Sequence, residues 1–247
     1  MLVTISEILG GSLQLYTRNF RRWLPYLGLL FLPTLVMSIL GILGLFLQYH
    51  LPNSALIANM TVLTIYVASL VFSIWAGIAL IRVIKFSFDN TPLPPWSELF
   101  TDSSRMIWPM IYTTLLVFLI IFAGSILLII PGIIFGIWYC FANYILIFEE
   151  KNGMRALVAS KELVVNRWWP IFWRILIPAI VYSLVFFVFN TVVSKLCDLF
   201  IHQLFWNELT YSLATDLLNL LFLPLLTGAI IILYTSAKTN PVSIILK

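Results

Sequence analysis

The chain has 247 residues, of which 62% are hydrophobic and only 10% are charged. Its mean hydropathy is +1.04. Soluble domains carry about a quarter charged residues, so this chain lacks the polar side chains needed to coat a water-facing surface, and water-soluble enzyme classes are excluded. The net charge of +4 fits basic loops that meet anionic lipid headgroups, and no nucleic-acid partner is expected.

The first element in chain order is amphipathic. Ile5, Ile8, Leu9, Leu13, Tyr16, Phe20 and Trp23 recur at steps of three and four, with Glu7, Gln14, Arg18 and Arg21 on the other side. That pattern predicts a helix over 3–22 lying in the membrane interface, with arginines placed for lipid phosphates. A transmembrane helix needs about 20 mostly apolar residues. Two stretches follow that meet this requirement, 24–48 and 56–81. A weaker amphipathic stretch runs from Pro95 to Arg105.

The third apolar stretch, 107–130, stops at Pro131-Gly132, and the fourth, 133–148, is short for a span. Proline donates no backbone hydrogen bond and glycine relaxes the chain, so this pair is read as the turn of a helical hairpin. One unbroken helix of about 42 residues over 107–148 would reach about 63 Å, against a hydrocarbon core of about 30 Å. A second amphipathic helix is expected over 153–169. Its membrane face holds Met154, Leu157, Val158, Val165 and Trp168, opposed by Arg155, Glu162 and Asn166. The fifth and sixth spans are 170–194 and 212–236.

The fold class that results is all-α: a polytopic membrane protein in a single domain, with six transmembrane helices and interfacial helices before spans one, three and five. The basic residues agree with that count. Arg18, Arg21, Arg22, Arg82, Lys85, Arg105, Lys151, Arg155, Lys161, Arg167, Lys238 and Lys247 all fall on one side, and Lys195 alone on the other, near Asp198, His202 and Glu208. The positive-inside bias then puts both termini in the cytoplasm, with 195–211 outside, in a bacterial or archaeal cytoplasmic membrane. The arginines at 18–22 and the length of the apolar run after them do not fit a cleavable signal peptide.

Three marks look alike: Trp23-Leu24-Pro25, Trp108-Pro109 and Trp169-Pro170. Tryptophan suits the headgroup level, and proline suits the first turn of a helix, where its missing N–H is no loss. Pro33 and Pro178 each stand eight residues beyond the first and third prolines. The spacing suggests three units of one interfacial helix and two spans; convergent interface chemistry is the alternative.

The run 129–169 carries Ile-Pro-Gly-Ile at 130–133, Phe141-Ala142, Glu149-Glu150, a small-residue helix around Ala159-Ser160, and Trp168-Trp169. It resembles the membrane-domain family of glycerophosphoryl diester phosphodiesterases and related six-helix bacterial inner-membrane proteins. The resemblance implies an architecture and assigns no chemistry. Some members of that family are fused to a soluble phosphodiesterase domain, which this sequence does not contain, so no activity on glycerophosphodiesters carries over.

Intramembrane polar residues are the default functional candidates. Asp216 and Asn219 share one side of span six, and Asn190 lies at similar depth in span five. They form either a small polar pocket for an ion or lipid headgroup, or interhelical hydrogen-bond glue, or Asp216 simply reaches the membrane interface. At the basic end, Arg155, Lys161, Arg167 and Arg174 are candidate contacts for lipid headgroups; the alternatives are a connector helix over 153–169 packed on the bundle, its charges only enforcing topology, and an Arg174 that snorkels to the headgroups. Glu149-Glu150 reads as a turn whose carboxylates favour the N-terminal dipole of the next helix, rather than as a catalytic pair. His50 and His202 make a poor metal site, no catalytic motif occurs, and Cys140 and Cys197 read as packing residues.

No cofactor is expected. The reading is a non-enzymatic membrane module that binds lipid, in particular anionic phospholipid, or a membrane-protein partner or second copy. A small transporter or channel subunit is the alternative, although the spans carry few polar residues to line an aqueous path. A lipid-modifying enzyme is disfavoured by the missing catalytic constellation.

Overall fold

The computed structural model describes residues 2–50, 55–200 and 204–240. Among them the chain forms nine α-helices and no strand: α1 Ile5–His50, α2 Ala55–Phe88, α3 Trp96–Arg105, α4 Ile107–Leu127, α5 Ile129–Trp138, α6 Ala142–Glu149, α7 Gly153–Val164, α8 Trp168–Phe200 and α9 Leu204–Thr239. Six helical segments are long and apolar enough to cross a membrane. The protein is an all-α, multi-pass membrane protein.

α1 packs along α2 and α9, α9 packs along α8, and α4 pairs with α5. The tight core gathers at the end that carries the basic residues. One cluster joins Ile8, Phe141, Leu157, Ile171 and Leu233; a second joins Trp23, Leu80, Ile84, Leu99 and Ile231. Farther along, side chains such as Ile39, Leu63, Phe187 and Phe200 are exposed on the bundle surface. That arrangement suits a membrane, because lipid tails solvate apolar side chains as well as other leucines would.

The separate interfacial helix predicted over 3–22 is instead the first part of α1, which runs unbroken for 46 residues. At about 1.5 Å per residue it is about 69 Å long. The segment turns Ile8 and Trp23 of its apolar stripe onto protein, while Leu13 stays 53% exposed. Ile8 is buried against α9, and the Ser12 hydroxyl shares a hydrogen bond with the Tyr182 hydroxyl at 2.5 Å. The expected helix before span three does exist as α3, where Trp96 stacks on Tyr26 at 4.7 Å and Asp102 pairs with Arg82 at 3.1 Å.

The three tryptophan–proline marks play different parts. Trp108 and Trp169 are exposed, at 78% and 60%. Pro109 and Pro170 each occupy the third position of their helix, α4 and α8. Trp23 is instead fully buried and donates its indole N–H to Ser87 Oγ at 3.0 Å, while Pro25 lies inside α1. The first mark therefore belongs to the core.

The hairpin expected in 107–148 is present, but its turn is not at Pro131-Gly132. The break falls at Leu128, whose extended backbone (φ −161°, ψ 148°) separates α4 from α5. Pro131 is the third residue of α5. A helix leaves its first four N–H groups without intrahelical partners, so a proline there removes a donor that had no bond to lose. Gly132 is the contact residue of the hairpin. A Cβ at this position would collide with Ser125 Oγ and lie 3.1 Å from Ser125 Cβ and 3.2 Å from its Cα. The fourth span is itself interrupted, because α5 ends at Trp138 and α6 begins at Ala142.

Candidate functional site

The segment following α6 is shaped by two left-handed residues. Glu150 caps α6 at φ 57° and bonds its N–H to the Leu146 carbonyl at 3.0 Å. Gly153 opens α7 at φ +52°, and a Cβ there would meet the Tyr112 ring at 2.5 Å, so both backbone and space call for glycine. The Gly153 N–H is donated to Thr113 Oγ1 at 2.8 Å.

From that start α7 buries Gly153, Ala156, Leu157, Ser160 and Val164, a stripe at helical spacing made mostly of small side chains. Ser160 closes the gap in span four: its hydroxyl donates to the Trp138 carbonyl at 2.7 Å and accepts the Phe141 N–H at 3.2 Å. It thereby satisfies one orphan group on each side of the break. Met154, Val158 and Val165 stand on the exposed side, at 57%, 51% and 43% exposure. Of the expected membrane face they remain available to lipid, whereas Leu157 is buried against the protein.

Beside this helix lies a cavity of about 510 Å³ bounded by the end of α6, α7, the 3₁₀ turn Val165–Arg167 and the end of α9. Its wall combines apolar Ile145, Val158, Leu163 and Val165 with the cations Lys151, Lys161, Arg167 and Lys238 and the carboxylates Glu149 and Glu162. Glu149 is neutralised locally. It accepts hydrogen bonds from the Tyr234 hydroxyl at 2.5 Å, Lys151 Nζ at 2.8 Å and Lys238 Nζ at 2.9 Å. The hydrogen bond to Glu149, and then its charge, hold the Lys151 ammonium above the ordinary lysine range. Lys161 Nζ lies 4.4 Å above the Trp138 ring. The result is a pocket with an apolar wall, a cationic rim and one carboxylate already paired.

Of the four basic residues singled out in the sequence, the cavity brings together Lys161 and Arg167. Arg167 is only 9% exposed, and its guanidinium donates to three carbonyls: Leu163 at 2.7 Å, Asn240 at 2.5 Å and Ala237 at 2.5 Å. It caps the C-terminal end of α9. Arg174 donates to the Val3 carbonyl at 2.5 Å and the Pro170 carbonyl at 2.9 Å, fastening the segment before α1. Arg155 is exposed on α7 and outside the cavity wall. In the sequence Lys151 and Lys238 carry only a topology signal, since nothing in the linear order brings residue 238 beside residue 151.

The acidic pair also divides. Glu149 ends α6 and reaches α9, while Glu150 lines a separate cavity with Asp102, Arg105 and Asn152. Neither residue lies in the first turn of α7, so the expected partnership with that helix dipole is replaced by hydrogen bonds to Tyr234, Lys151 and Lys238.

At membrane depth, Asn190 joins α8 to α9, donating to the Tyr211 hydroxyl at 3.1 Å and accepting from Thr215 Oγ1 at 2.9 Å. Asp216 instead lines a groove facing α1 and α2, and Asn219 is exposed. The three do not form one pocket. His202 and the side chain of His50 lie outside the described residues.

Compared with known proteins, the chain matches no family model, no curated protein and no solved structure.

Proposed function

We propose that the protein is a non-enzymatic membrane module that binds anionic phospholipid in the cavity between α6, α7 and the end of α9. The observation carrying this reading is the composition of the wall: four cationic side chains against two carboxylates, continuous with an apolar surface. A headgroup phosphate fits the rim formed by Lys151, Lys161 and Lys238, with acyl chains along Val158 and Val165. The resemblance of residues 129–169 to the phosphodiesterase membrane domain supports the architecture alone.

Each lysine near an anionic surface contributes about 1 kcal/mol. Replacing Lys151 and Lys161 together by glutamine removes about 2 kcal/mol, roughly a 30-fold loss of affinity; Lys238 is kept to hold Glu149. Native mass spectrometry of the purified variant should show far less retained phosphatidylglycerol and cardiolipin, whereas Lys195→Gln, from the opposite end, should retain as much as wild type. Equal retention in all three proteins would exclude the cavity as a lipid site.

Positive-inside placement supports a cytoplasmic position for this end, with both termini there, in an inner membrane. Single cysteines placed on a background lacking Cys140 and Cys197 test the orientation. A membrane-impermeant thiol reagent applied from outside should label Lys195→Cys and leave Arg155→Cys unreacted. The opposite pattern would invert the topology.

A further inference from the structure

A second groove, of about 490 Å³, lies between α1, α2 and α9 and is lined by Ser38, Ser69, Ser73, Ser212 and Asp216. Three of these residues, Ser38, Ser69 and Asp216, form one layer. Trp23, Ile84 and Ile231 share a core cluster at the basic end; Arg22 and Lys85 flank Trp23 and Ile84 in sequence and set the cluster near headgroup level. Ser38, Ser69 and Asp216 each lie fifteen residues from one of these three, on its own helix. Fifteen residues rise about 22 Å, inside a hydrocarbon core of about 30 Å.

Asp216 is half-buried at this depth, and among the described residues no hydrogen bond or ion pair engages its carboxylate. A carboxylate placed there is costly unless something pairs with it. Two of the serine hydroxyls that line the same groove are oriented as acceptors. Ser38 donates its proton to the Thr34 carbonyl at 3.0 Å, and Ser73 donates to the Ser69 carbonyl at 2.8 Å. Their lone pairs are thereby left for the groove, and among the described residues no lysine, arginine or histidine lines it. Tyr66 and Leu70 on the rim are 53% and 48% exposed, so the groove opens on the surface of the bundle.

A groove that carries one carboxylate and hydroxyls with free lone pairs favours a positively charged occupant. We propose that this groove is a binding site for a monovalent cationic group, held by the Asp216 carboxylate and the Ser38, Ser69 and Ser73 hydroxyls. An alkali ion and the primary ammonium of a phospholipid headgroup share that chemistry, and the volume accommodates either. The site is independent of the lipid cavity at the basic end and stands or falls separately from it.

Two arms on the purified full-length protein separate the sources. In the first, thermal-unfolding midpoints are compared in sodium, potassium and N-methylglucamine chloride at equal ionic strength. In the second, retention of phosphatidylethanolamine against phosphatidylglycerol is read by native mass spectrometry. An alkali site raises the midpoint in sodium or potassium in wild type and not in Asp216→Asn. An ammonium site shows preferential retention of phosphatidylethanolamine, reduced about tenfold in Asp216→Asn by loss of a charge-assisted contact. If Asp216→Asn does not fold, the Ser69→Ala/Ser73→Ala pair keeps the carboxylate and should weaken the same response. A wild type indifferent to the cation and without preference for phosphatidylethanolamine overturns the proposal, as does a response that the variants leave unchanged.

Discussion

Arg167→Gln is expected to lower the stability of the purified protein by about 3 kcal/mol, because hydrogen bonds to a charged group contribute about 1.5–3 kcal/mol each and do not add fully. The side chain is nearly enclosed and serves the carbonyls of Leu163, Ala237 and Asn240 at once. Glutamine is too short and has too few donors to replace it, and the last carbonyls of α9 would lose their partner. Arg167→Lys should also fall well below wild type, since an ammonium cannot reproduce the planar fork of the guanidinium. A thermal-unfolding series in detergent tests this, with Arg155→Gln as the comparison. Arg155 is exposed, and its replacement should stay within about 0.5 kcal/mol of wild type. A wild-type melting temperature for Arg167→Gln would refute the capping role. The same result bears on the lipid cavity: Arg167 shapes its wall, and the lysines must be varied to test headgroup binding without disturbing the fold.

Gly132→Ala should destabilise the α4–α5 hairpin by about 1–3 kcal/mol, the usual range for overpacking a filled interface. The added methyl would strike the Ser125 side chain and come within 3.2 Å of the Ser125 backbone, leaving little room for adjustment by rotamer alone. A double-mutant cycle makes the cause specific. Ser125→Gly removes both side-chain atoms that oppose the methyl, so Gly132→Ala/Ser125→Gly should recover much of the loss relative to Ser125→Gly alone. Pro131→Ala is the complementary test: Pro131 lies in the first turn of α5 and breaks no ladder bond. Its replacement should change stability by less than about 1 kcal/mol, whereas a proline holding a tight turn would be sensitive. Additive effects of the 125 and 132 substitutions would show that the two helices do not meet here.

The hairpin illustrates how much is legible from sequence. Two apolar runs joined without a charge or polar loop predict an antiparallel pair, and α4 and α5 do pair. Their boundary is less legible, because proline and glycine carry more than one meaning. Proline serves the start of a helix as well as its interruption, and glycine permits close approach as well as a turn. Length by itself does not exclude one continuous helix over 107–148, since α1 is longer than that stretch. A helix can exceed the hydrocarbon thickness when its surplus turns pack on protein, as Ile8 and Ser12 do against neighbouring helices.

The candidate sites divide in the same way. Asp216 stood out because a carboxylate within an apolar run has few inexpensive explanations. Its neighbours Ser38, Ser69 and Ser73 gave no comparable signal, since isolated serines are common in apolar helices and return their protons to their own backbone. Likewise the stripe on α7 was visible as a helix, but which face met protein was not. Met154 and Val158 are more apolar than Ala156 and Ser160, yet the small residues are buried. Close packing between helices in lipid is governed by how near backbones can approach, and small side chains permit that approach.

Composition and periodicity by themselves determined that this chain is an all-α membrane protein with six long apolar segments, because backbone polarity and the thickness of a bilayer leave few other solutions. They also determined which end carries the cations, since that depends only on linear order. Tertiary structure decided what those cations do. It paired Lys238 with Glu149 across the sequence, turned Arg167 from a lipid-facing candidate into a cap on α9, and left Lys151 and Lys161 on the rim of a cavity. It also separated Asn190 from Asp216 onto different helix contacts. The physical reason is that hydrogen bonds and ion pairs act over a few ångströms, whereas the residues that make them here are as many as 233 positions apart.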